Sequence, residues 1–286
     1  MGPGIYTDMP FAEYLASDAA SKSKLWTLHT KTPAHVAAAE DEATPEMDWG
    51  TAMHVAVLEP DMLSQRVFQG PADRRGKKWT EAVEQLEAEH PGAVLLPEEA
   101  YDRMIAAQNA VLQNPTIKAL ATMDGISEAS GFWIDEATGL LCRMRADRYC
   151  QKLALMADLK TTADASEDGF RSTSIRFGYH CHDAMYTEGW PLCGGGEVED
   201  FIFIVVERDP PFAHALFQFE PDERSMGSRI IHRNLEIYRH CKATGRWPGF
   251  SERVSRFRFP EWVHTKESFK AVEQEIMYGT ANDSAA

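Results

Sequence analysis

The sequence lacks any long apolar run. No stretch approaches the roughly 18–20 consecutive apolar residues that a membrane-spanning helix needs. The first residues, MGPGIYTDMPFAEYL, also lack the basic segment followed by an apolar segment that directs secretion. We therefore expect no membrane association and a cytoplasmic location.

Cysteine pairs at metal-binding or redox spacing are absent as well. The chain has five cysteines, an odd number, and none of them forms a CxxC motif. This pattern predicts reduced thiols, as in a cytosolic protein, without a disulfide framework or a zinc ribbon. The cysteines are Cys142, Cys150, Cys181, Cys193 and Cys241.

Basic charge is in short supply. The chain has 29 basic and 44 acidic residues, and its net charge of −15 argues against a general nucleic-acid-binding protein. The distribution is uneven, however: residues 81–128 hold nine carboxylates and two basic side chains, whereas residues 224–258 hold nine Arg or Lys and two Glu. Two interpretations stay open, namely one basic and one acidic surface, or local chance on solvated helix faces.

The length and apolar content are those of a folded domain. A chain of 286 residues with 44% hydrophobic residues can bury a sizeable core, which excludes wholesale disorder. We expect a single domain over residues 1–286. Its parts are a mostly helical region at 1–125, a sheet-containing core at 126–250 and a C-terminal tail at 251–286.

Hydrophobic periodicity supports this division. Before Gly125 the apolar spacing and the capping residues predict helices, with a basic loop at Gln69–Lys78. After it, apolar runs predict strands of a central mixed sheet flanked by helices, an α/β fold. One predicted helix begins after Ser21. The others cover Pro45–Leu58, Trp79–Glu89, Pro97–Asn114, Thr173–Thr187 and Pro221–Thr244. The predicted strands are Glu128–Ile134, Leu140–Tyr149, Leu153–Leu159, Phe201–Val206 and Ala213–Phe219.

Two aspartates and a lysine have the spacing of a chemical site. Asp147 and Asp158 fall near the ends of consecutive predicted strands, which can bring both carboxylates to one sheet edge. Such a pair repels unless a cation neutralises it, and Mg²⁺ or Mn²⁺ is one solution. Lys160 shares a strand face with Asp158, where an ammonium can orient a water or stabilise charge on a phosphate. The alternative is a strand-end ion pair with no catalytic role.

These residues resemble a known signature. D147-x10-D158-L-K160 is similar to the PD-(D/E)xK nuclease motif, and the surrounding sequence resembles the RecE-type exonucleases, the nuclease domain of exodeoxyribonuclease VIII, related in fold to lambda exonuclease. The resemblance covers residues 20–250 and implies a restriction-endonuclease-like core in a single nuclease domain. The other matching segments are GTAMH ending at His54, Ser127-Glu128, CRMRAD ending at Asp147 and IRFGYHCHDAMY ending at Tyr186.

The resemblance implies a metal site. Its cofactor would be Mg²⁺, with Mn²⁺ as a substitute, and Lys160 would position or activate the attacking water. Glu128 would be either a direct ligand or a group that bonds to a ligand. No iron–sulfur cluster is expected, because the cysteines lack the clustered C-terminal spacing of the relatives that bind one. The implied metal ligands are His54, Asp147, Asp158 and the backbone carbonyl of Leu159.

The resemblance also suggests DNA contacts. Where related nucleases have Gln-x3-Tyr on the helix after the lysine, this chain has His182-x3-Tyr186, and a histidine can still donate to a phosphate or base, with pH-dependent protonation. Basic side chains near the predicted metal site and on the basic loop can neutralise backbone phosphates. The predicted DNA-binding residues are Arg74, Arg75, Lys78, Arg143, Arg145, Arg148, His182 and Tyr186.

The implied function is hydrolysis of phosphodiester bonds in linear double-stranded DNA. The resemblance implies a Mg²⁺-dependent exonuclease that digests 5′ to 3′ and leaves 3′ single-stranded tails for recombination by strand annealing. It also implies a homo-oligomeric ring, a single-strand annealing protein as partner, and a phage or prophage setting in a bacterial cell. Two alternatives stay open: a nuclease of other polarity or with single-strand preference, and a non-catalytic DNA- or protein-binding module on the same fold.

Overall fold

A seven-stranded mixed sheet organises the chain. The computed structural model describes residues 1–39, 45–251 and 253–278, which fall into one unit up to Trp247 and a second from Pro248 onward. The strands are β1 Gly4–Tyr6, β2 Ala20–Ser21, β3 Val67–Gly70, β4 Val94–Pro97, β5 Ile126–Ile134, β6 Leu141–Cys150, β7 Leu155–Thr162, β8 Asp200–Glu207 and β9 His214–Phe217.

Helices precede and follow the sheet strands. The helices are α1 Phe11–Ala16, α2 Lys22–Thr30, α3 Pro33–Ala37, α4 Pro45–Leu58, α5 Leu63–Arg66, α6 Lys77–Glu89, α7 Glu98–Val111, α8 Pro115–Thr122, α9 Glu167–Phe177, α10 Tyr179–Leu192, α11 Pro221–Thr244 and α12 Glu261–Tyr278. Short 3-10 turns lie at Pro60–Met62 and Gln151–Leu153. No helix in the described ranges is long and apolar enough to cross a membrane.

The main sheet has the strand order β1-β5-β6-β7-β8-β9, and β2 pairs with β6. The β7–β8 and β2–β6 pairs are parallel, and the others are antiparallel. The predicted α/β fold with a central mixed sheet is therefore confirmed. The small parallel sheet of β3 and β4 was not predicted, because its strands are only four residues long.

Both faces of the sheet are covered by helices. Phe203 and Val205 of β8 lie in a cluster with residues of α2, α10 and α11. Ile204 and Val206 lie in a second cluster with residues of α4, α7 and α8. Burial on both faces explains why this strand is a continuous apolar run rather than an alternating one.

The predicted helix Thr173–Thr187 is two helices in the structure. α9 ends and α10 begins at Gly178, which has a φ of +66°, a conformation that glycine adopts without steric cost. A Cβ atom there would lie 2.5 Å from the ring of Trp26, so glycine is also required by packing. This contact joins residues far apart in the sequence, which is why helical periodicity did not reveal the break.

The second unit contains a helix that was not predicted. Residues 251–286 were predicted to be a tail, but α12 covers Glu261–Tyr278. The residues after Tyr278, the last part of the predicted tail, lie outside the described residues. The division of the chain into one domain with three parts stays a prediction.

Gly227 is the point at which α11 approaches α10. A Cβ atom at this position would lie 2.2 Å from the backbone oxygen of His180. We predict that Gly227→Ala lowers the free energy of unfolding by about 2–3 kcal/mol, because overpacking against backbone outweighs the ~1 kcal/mol gained in helix propensity. Chemical denaturation measures the change. The matched control is Ser225→Ala on an exposed position of the same helix, expected within about 0.5 kcal/mol of wild type. An unchanged stability of Gly227→Ala would refute the packing argument.

Candidate active site

Strand β6 changes its partner along its length. Near its end it pairs with β7, and Arg148 opposite Ala157 is the last of these pairs. Towards its start it pairs with β2 instead, through Cys142 and Arg143. Asp147 and Asp158 would be the next opposed residues, so they stand where β6 and β7 separate. We call this place, formed by Asp147, Asp158 and Leu159, the strand fork.

The carboxylate of Asp147 completes the backbone hydrogen bonding at the strand fork. The buried Leu159 N–H has no ladder partner on β6, and it donates to Asp147 Oδ2 at 2.9 Å. A buried N–H without an acceptor is costly, which accounts for an acidic side chain at this position. The predicted proximity of Asp147 and Asp158 is therefore produced by strand register.

His54 of α4 contacts the same carboxylate oxygen. Its Nε2 atom lies 2.8 Å from Asp147 Oδ2, and its Nδ1 atom lies 2.8 Å from the carbonyl of Gly50. Because a carbonyl only accepts, Nδ1 carries a hydrogen, and in a neutral imidazole Nε2 then carries a lone pair. Two lone-pair atoms at 2.8 Å require a cation between them, which can be a proton or a metal ion.

In the absence of metal that cation is a proton. Burial lowers the pKa of His54, but the charge of Asp147, the hydrogen bond to Asp147 and the charge of Glu128 together outweigh burial and raise the pKa to about 9. The imidazole is therefore protonated at neutral pH. A metal ion binding to Nε2 would have to displace this proton.

Asp158 is the most deeply buried acid of the site. Its side chain is 2% exposed, contacts the ammonium of Lys160, and lies 3.0 Å from His182 Nε2. Burial by itself raises a carboxyl pKa, but the Lys160 charge holds the pKa of Asp158 well below its usual range. The same pairing, with Asp147 contributing, raises the pKa of Lys160 above its ordinary value despite burial. Burial lowers the pKa of His182, so its imidazole is neutral.

Glu128 lies on the far side of Asp147. It stands opposite Asp147 in the β5–β6 register, and its φ of +50° interrupts the ladder between the flanking pairs. Its carboxylate lies 2.9 Å from Arg145 Nε. Burial, followed by the charge of Asp147, raises the pKa of Glu128. The structure thus brings Glu128 near Asp147 and His54, and its role as a ligand or as a group bonded to a ligand stays a prediction.

His182 lies beside the Asp158 carboxylate, and Tyr186 lies beside His182. Their rings stack with centroids 3.9 Å apart, and the Tyr186 hydroxyl accepts from the backbone N–H of Arg145 at 3.3 Å. Tyr186 is buried, and His182 faces the Asp158 carboxylate. This placement argues against the predicted direct DNA contacts and gives both residues a supporting role around Asp158.

The predicted DNA contacts of three arginines on β6 also need correction. The Arg143 guanidinium donates to the carbonyls of Tyr14, Leu15 and Ser17. Arg148 donates to Ser127 Oγ and to the Met123 carbonyl, and Arg145 donates to Glu128, Ser130 and Met9. Arg143 and Arg148 are buried, so protein acceptors occupy groups that were expected to face phosphates.

The basic loop remains a candidate for DNA contact. Arg75 and Lys78 are exposed, and Arg75 pairs with Asp73 at 3.1 Å. Arg74 is half-buried and pairs with Asp48 at 2.8 Å. The DNA-binding role of these three side chains stays a prediction.

Lys22 is a neighbour of the site that the sequence did not indicate. Its ammonium donates to the Phe177 carbonyl and lies 5.9 Å from the ring centroid of Tyr179, whose ring lies 5.6 Å from the Lys160 ammonium. Burial, followed by the charge of Lys160, lowers the pKa of Lys22 to about 8. In the sequence Lys22 is only the first residue after a helix cap, which gives no sign of this position.

The donor atoms at the strand fork fit a hard divalent cation. His54 Nε2 and Asp147 Oδ2 already face each other, and both buried oxygens of Asp158 lack a well-directed hydrogen bond among the described residues. Carboxylate oxygens suit Mg²⁺ or Mn²⁺, and an imidazole nitrogen is a ligand of first-row transition metals. Within the described ranges, no three His, Cys, Asp or Glu side chains are gathered as a complete metal cluster. Asp158 faces Lys160 and His182 instead of His54.

Comparison with known proteins identifies the family. The model of the PDDEXK-like domain of unknown function (DUF3799) matches residues 21–260. The chain belongs to this family. No curated protein sequence matches this PDDEXK-like chain. The part of the resemblance that concerned a PD-(D/E)xK core is therefore confirmed, whereas the RecE type stays a prediction.

Two crystal structures of exonucleases were found to be similar to this PDDEXK-like domain. A candidate exonuclease from Eubacterium rectale has 11% sequence identity and a TM-score of 0.59, over 90% of this chain and 96% of that chain. A phage-related exonuclease from Haemophilus somnus 129PT has 12% identity, over 81% of this chain and 98% of that chain, but its TM-score of 0.36 is too low to support an argument. The first likeness supports the fold alone.

The His54–Asp147 pair can be tested by histidine titration. We predict that in metal-free protein Asp147→Asn lowers the pKa of His54 from about 9 to below its ordinary value of about 6.5, because burial then acts without the opposing charge. The asparagine oxygen can still accept from Leu159 N–H, so the fold is retained. NMR titration of the ring protons measures the change. His29, whose pKa is lowered by burial and by Arg233, serves as the internal control. A His54 pKa that is the same in both proteins would contradict the pairing.

Proposed function

We propose that this protein is a metal-dependent nuclease that hydrolyses phosphodiester bonds. The observation that carries the proposal is the strand fork, where His54 and Asp147 face each other across 2.8 Å beside the buried Asp158–Lys160 pair. Membership of a PDDEXK-like family supports it. The alternative is an ion pair with a purely structural role. Such a pair would not require His54, Asp147 and Asp158 together at the strand fork.

The metal would be held by His54 and Asp147, with Asp158 and the Leu159 carbonyl as the further ligands of the proposal. For Asp158 to bind, its carboxylate has to release a contact with Lys160 or His182. Glu128 lies close enough to affect the charge of Asp147 and would bond to a ligand or to the ion. When bound, Mg²⁺ would supply Lewis-acid activation of water and of the phosphate.

Lys160 would act on the attacking water and on the charge that develops on the phosphate. Its raised pKa keeps the ammonium charged at neutral pH, so it can donate but cannot serve as a base. Asp158 fixes its position on β7, and the neutral His182 fixes Asp158 from the other side. The centroid of the Tyr179 ring lies 5.6 Å from the ammonium and covers one side of it.

The narrower parts of the proposal concern the substrate and the setting. We propose a Mg²⁺-dependent exonuclease of the RecE type that acts on linear double-stranded DNA from 5′ to 3′ and leaves 3′ tails for strand annealing. The likeness in fold to the candidate exonuclease from Eubacterium rectale supports only the choice of an exonuclease. A ring-shaped homo-oligomer, a single-strand annealing partner and a cytoplasmic phage or prophage setting belong to the same proposal. A nuclease of other polarity or with single-strand preference is its close alternative.

One observation favours a second candidate function. The Asp158 carboxylate is neutralised by Lys160 and faces away from His54, so the metal ligands are not gathered. A non-catalytic DNA- or protein-binding module on the same fold would need no such gathering. The two candidates differ in whether a divalent cation produces cleavage.

Cleavage of linear DNA tests the proposal. Duplexes labelled at either the 5′ or the 3′ end are incubated with Mg²⁺, with Mn²⁺ or with EDTA. We predict that wild type releases 5′ nucleotides only with a divalent ion, and that Asp158→Asn lowers the rate at least ~100-fold, because the variant loses a ligand and the partner of Lys160.

Asp200→Asn is the matched control for this substitution. Asp200 is exposed at the start of β8 and accepts from Gln218 at 2.6 Å, so its variant should cleave at the wild-type rate. Undiminished Mg²⁺-dependent cleavage by Asp158→Asn would exclude Asp158 from the metal site. Wild-type protein that binds linear DNA and leaves it intact with both metals would favour the binding module.

A further inference from the structure

Three arginines line a cleft that the proposed active site does not use. Arg74 follows β3, Arg103 lies on α7 and Arg208 follows β8, and together with Trp49 and Asp209 they border a cavity of about 280 Å³. All three arginines are half-buried. We call this place the arginine cleft.

Two of these guanidinium groups are held in fixed positions. Arg103 lies over the ring of Trp49, with 5.8 Å from its Cζ atom to the ring centroid, and Arg74 lies over the ring of Trp79 at 5.2 Å. Stacking on aromatic rings orients a planar guanidinium at little further entropic cost. The positions of these charges are therefore set before any ligand arrives.

The positive charge of the cleft is only partly balanced. Arg74 pairs with Asp48 at 2.8 Å, and Arg103 makes a longer pair of 3.4 Å with Asp209, an exposed residue. Arg208 has no ion pair with any residue that the structure describes, and the buried Nε atom of Arg103 has no hydrogen-bond partner among the same residues. Three cations around a cavity with donors to spare indicate an anionic ligand, and paired guanidinium donors match phosphate oxygens.

The arginine cleft lies on the same edge of the sheet as Lys160. The Arg208 N–H donates to the Thr162 carbonyl at 3.0 Å, and Thr162 is two residues beyond Lys160 on β7, about 7 Å along the strand. Trp49 of the cleft and His54 of the site are five residues apart on α4, about 7.5 Å along the helix axis. The cleft therefore lies near the proposed site, on the side of the sheet edge from which α4 also contributes His54.

We propose that the arginine cleft binds a backbone phosphate of the DNA substrate, close to the bond that is hydrolysed. This inference rests on the proposed nuclease function and adds a second anchoring point to it. The cleft holds the strand in register while Lys160 and the metal ligands act on the neighbouring phosphate. Arg208 is its central donor, because it has no competing carboxylate among the described residues.

Equilibrium binding to a fluorescent duplex in EDTA tests the inference, since no cleavage occurs without a divalent ion. We expect Arg208→Gln and Arg103→Gln each to weaken binding about tenfold and to lower the slope of log Kd against log salt by about 1, as for loss of one phosphate contact. Arg239→Gln is the matched control: Arg239 is exposed on α11 and pairs with Glu236 at 2.8 Å, so this variant loses the same charge elsewhere. Its affinity and slope should equal those of wild type.

A second experiment measures thermal unfolding with inorganic phosphate and separates the cleft proposal from the nuclease proposal. At matched ionic strength, phosphate should raise the unfolding temperature of wild type and Arg239→Gln but not of Arg208→Gln. If wild type cleaves DNA while Arg208→Gln and Arg103→Gln keep its affinity and salt slope, the cleft proposal is overturned and the nuclease proposal stands. If wild type neither binds nor cleaves DNA, yet phosphate stabilises it through Arg208, the nuclease proposal fails and the DNA ligand of the cleft falls with it.

Discussion

The contact between Asp147 and the Leu159 amide is the interaction on which the rest of the site depends. Strand β6 has to leave β7 in order to pair with β2, and the separation exposes a buried N–H that needs an acceptor. A carboxylate provides that acceptor, but it brings a charge into a place with little water. His54 balances this charge from α4. The backbone requirement of the sheet thus creates the half-buried acid that a metal site uses.

Charge pairing across the sheet follows from this arrangement. Glu128, Asp147 and Asp158 stand on three neighbouring strands, and each has a cationic partner: Arg145, protonated His54 and Lys160. Replacing the His54 proton by a divalent cation would keep Asp147 neutralised and would add one positive charge, which attracts a phosphate. Because strand register holds Asp147 and α4 holds His54, this pair can exchange its proton for a metal ion without unfolding the sheet.

The sequence predicted the elements whose periodicity is local, and it failed where distant contacts decide. The helix Pro221–Thr244 and the apolar strand around Phe203 follow directly from residue spacing. The burial of the Arg143 side chain does not follow from residue spacing, because its acceptors are carbonyls about 130 residues earlier in the chain. The alternating pattern of the strand is equally consistent with an arginine that binds phosphate. The break at Gly178 was missed for a similar reason, since the ring that packs against this glycine belongs to Trp26, about 150 residues earlier in the chain. The spacing of Asp147, Asp158 and Lys160 identified the site, but not the pairing of Asp158 with Lys160 and His182.

The whole arrangement depends on a divalent cation that we propose to bind beside His54 at the strand fork. Crystals grown with Mn²⁺ and measured near the manganese absorption edge are the direct test, because anomalous scattering locates the ion independently of activity. We expect an anomalous peak within coordination distance, about 2.0–2.3 Å, of His54 Nε2 and Asp147 Oδ2, with Asp158 turned towards it. A fully occupied ion elsewhere on the protein, with the His54–Asp147 pair still closed at 2.8 Å, would show that the strand fork is not a metal site.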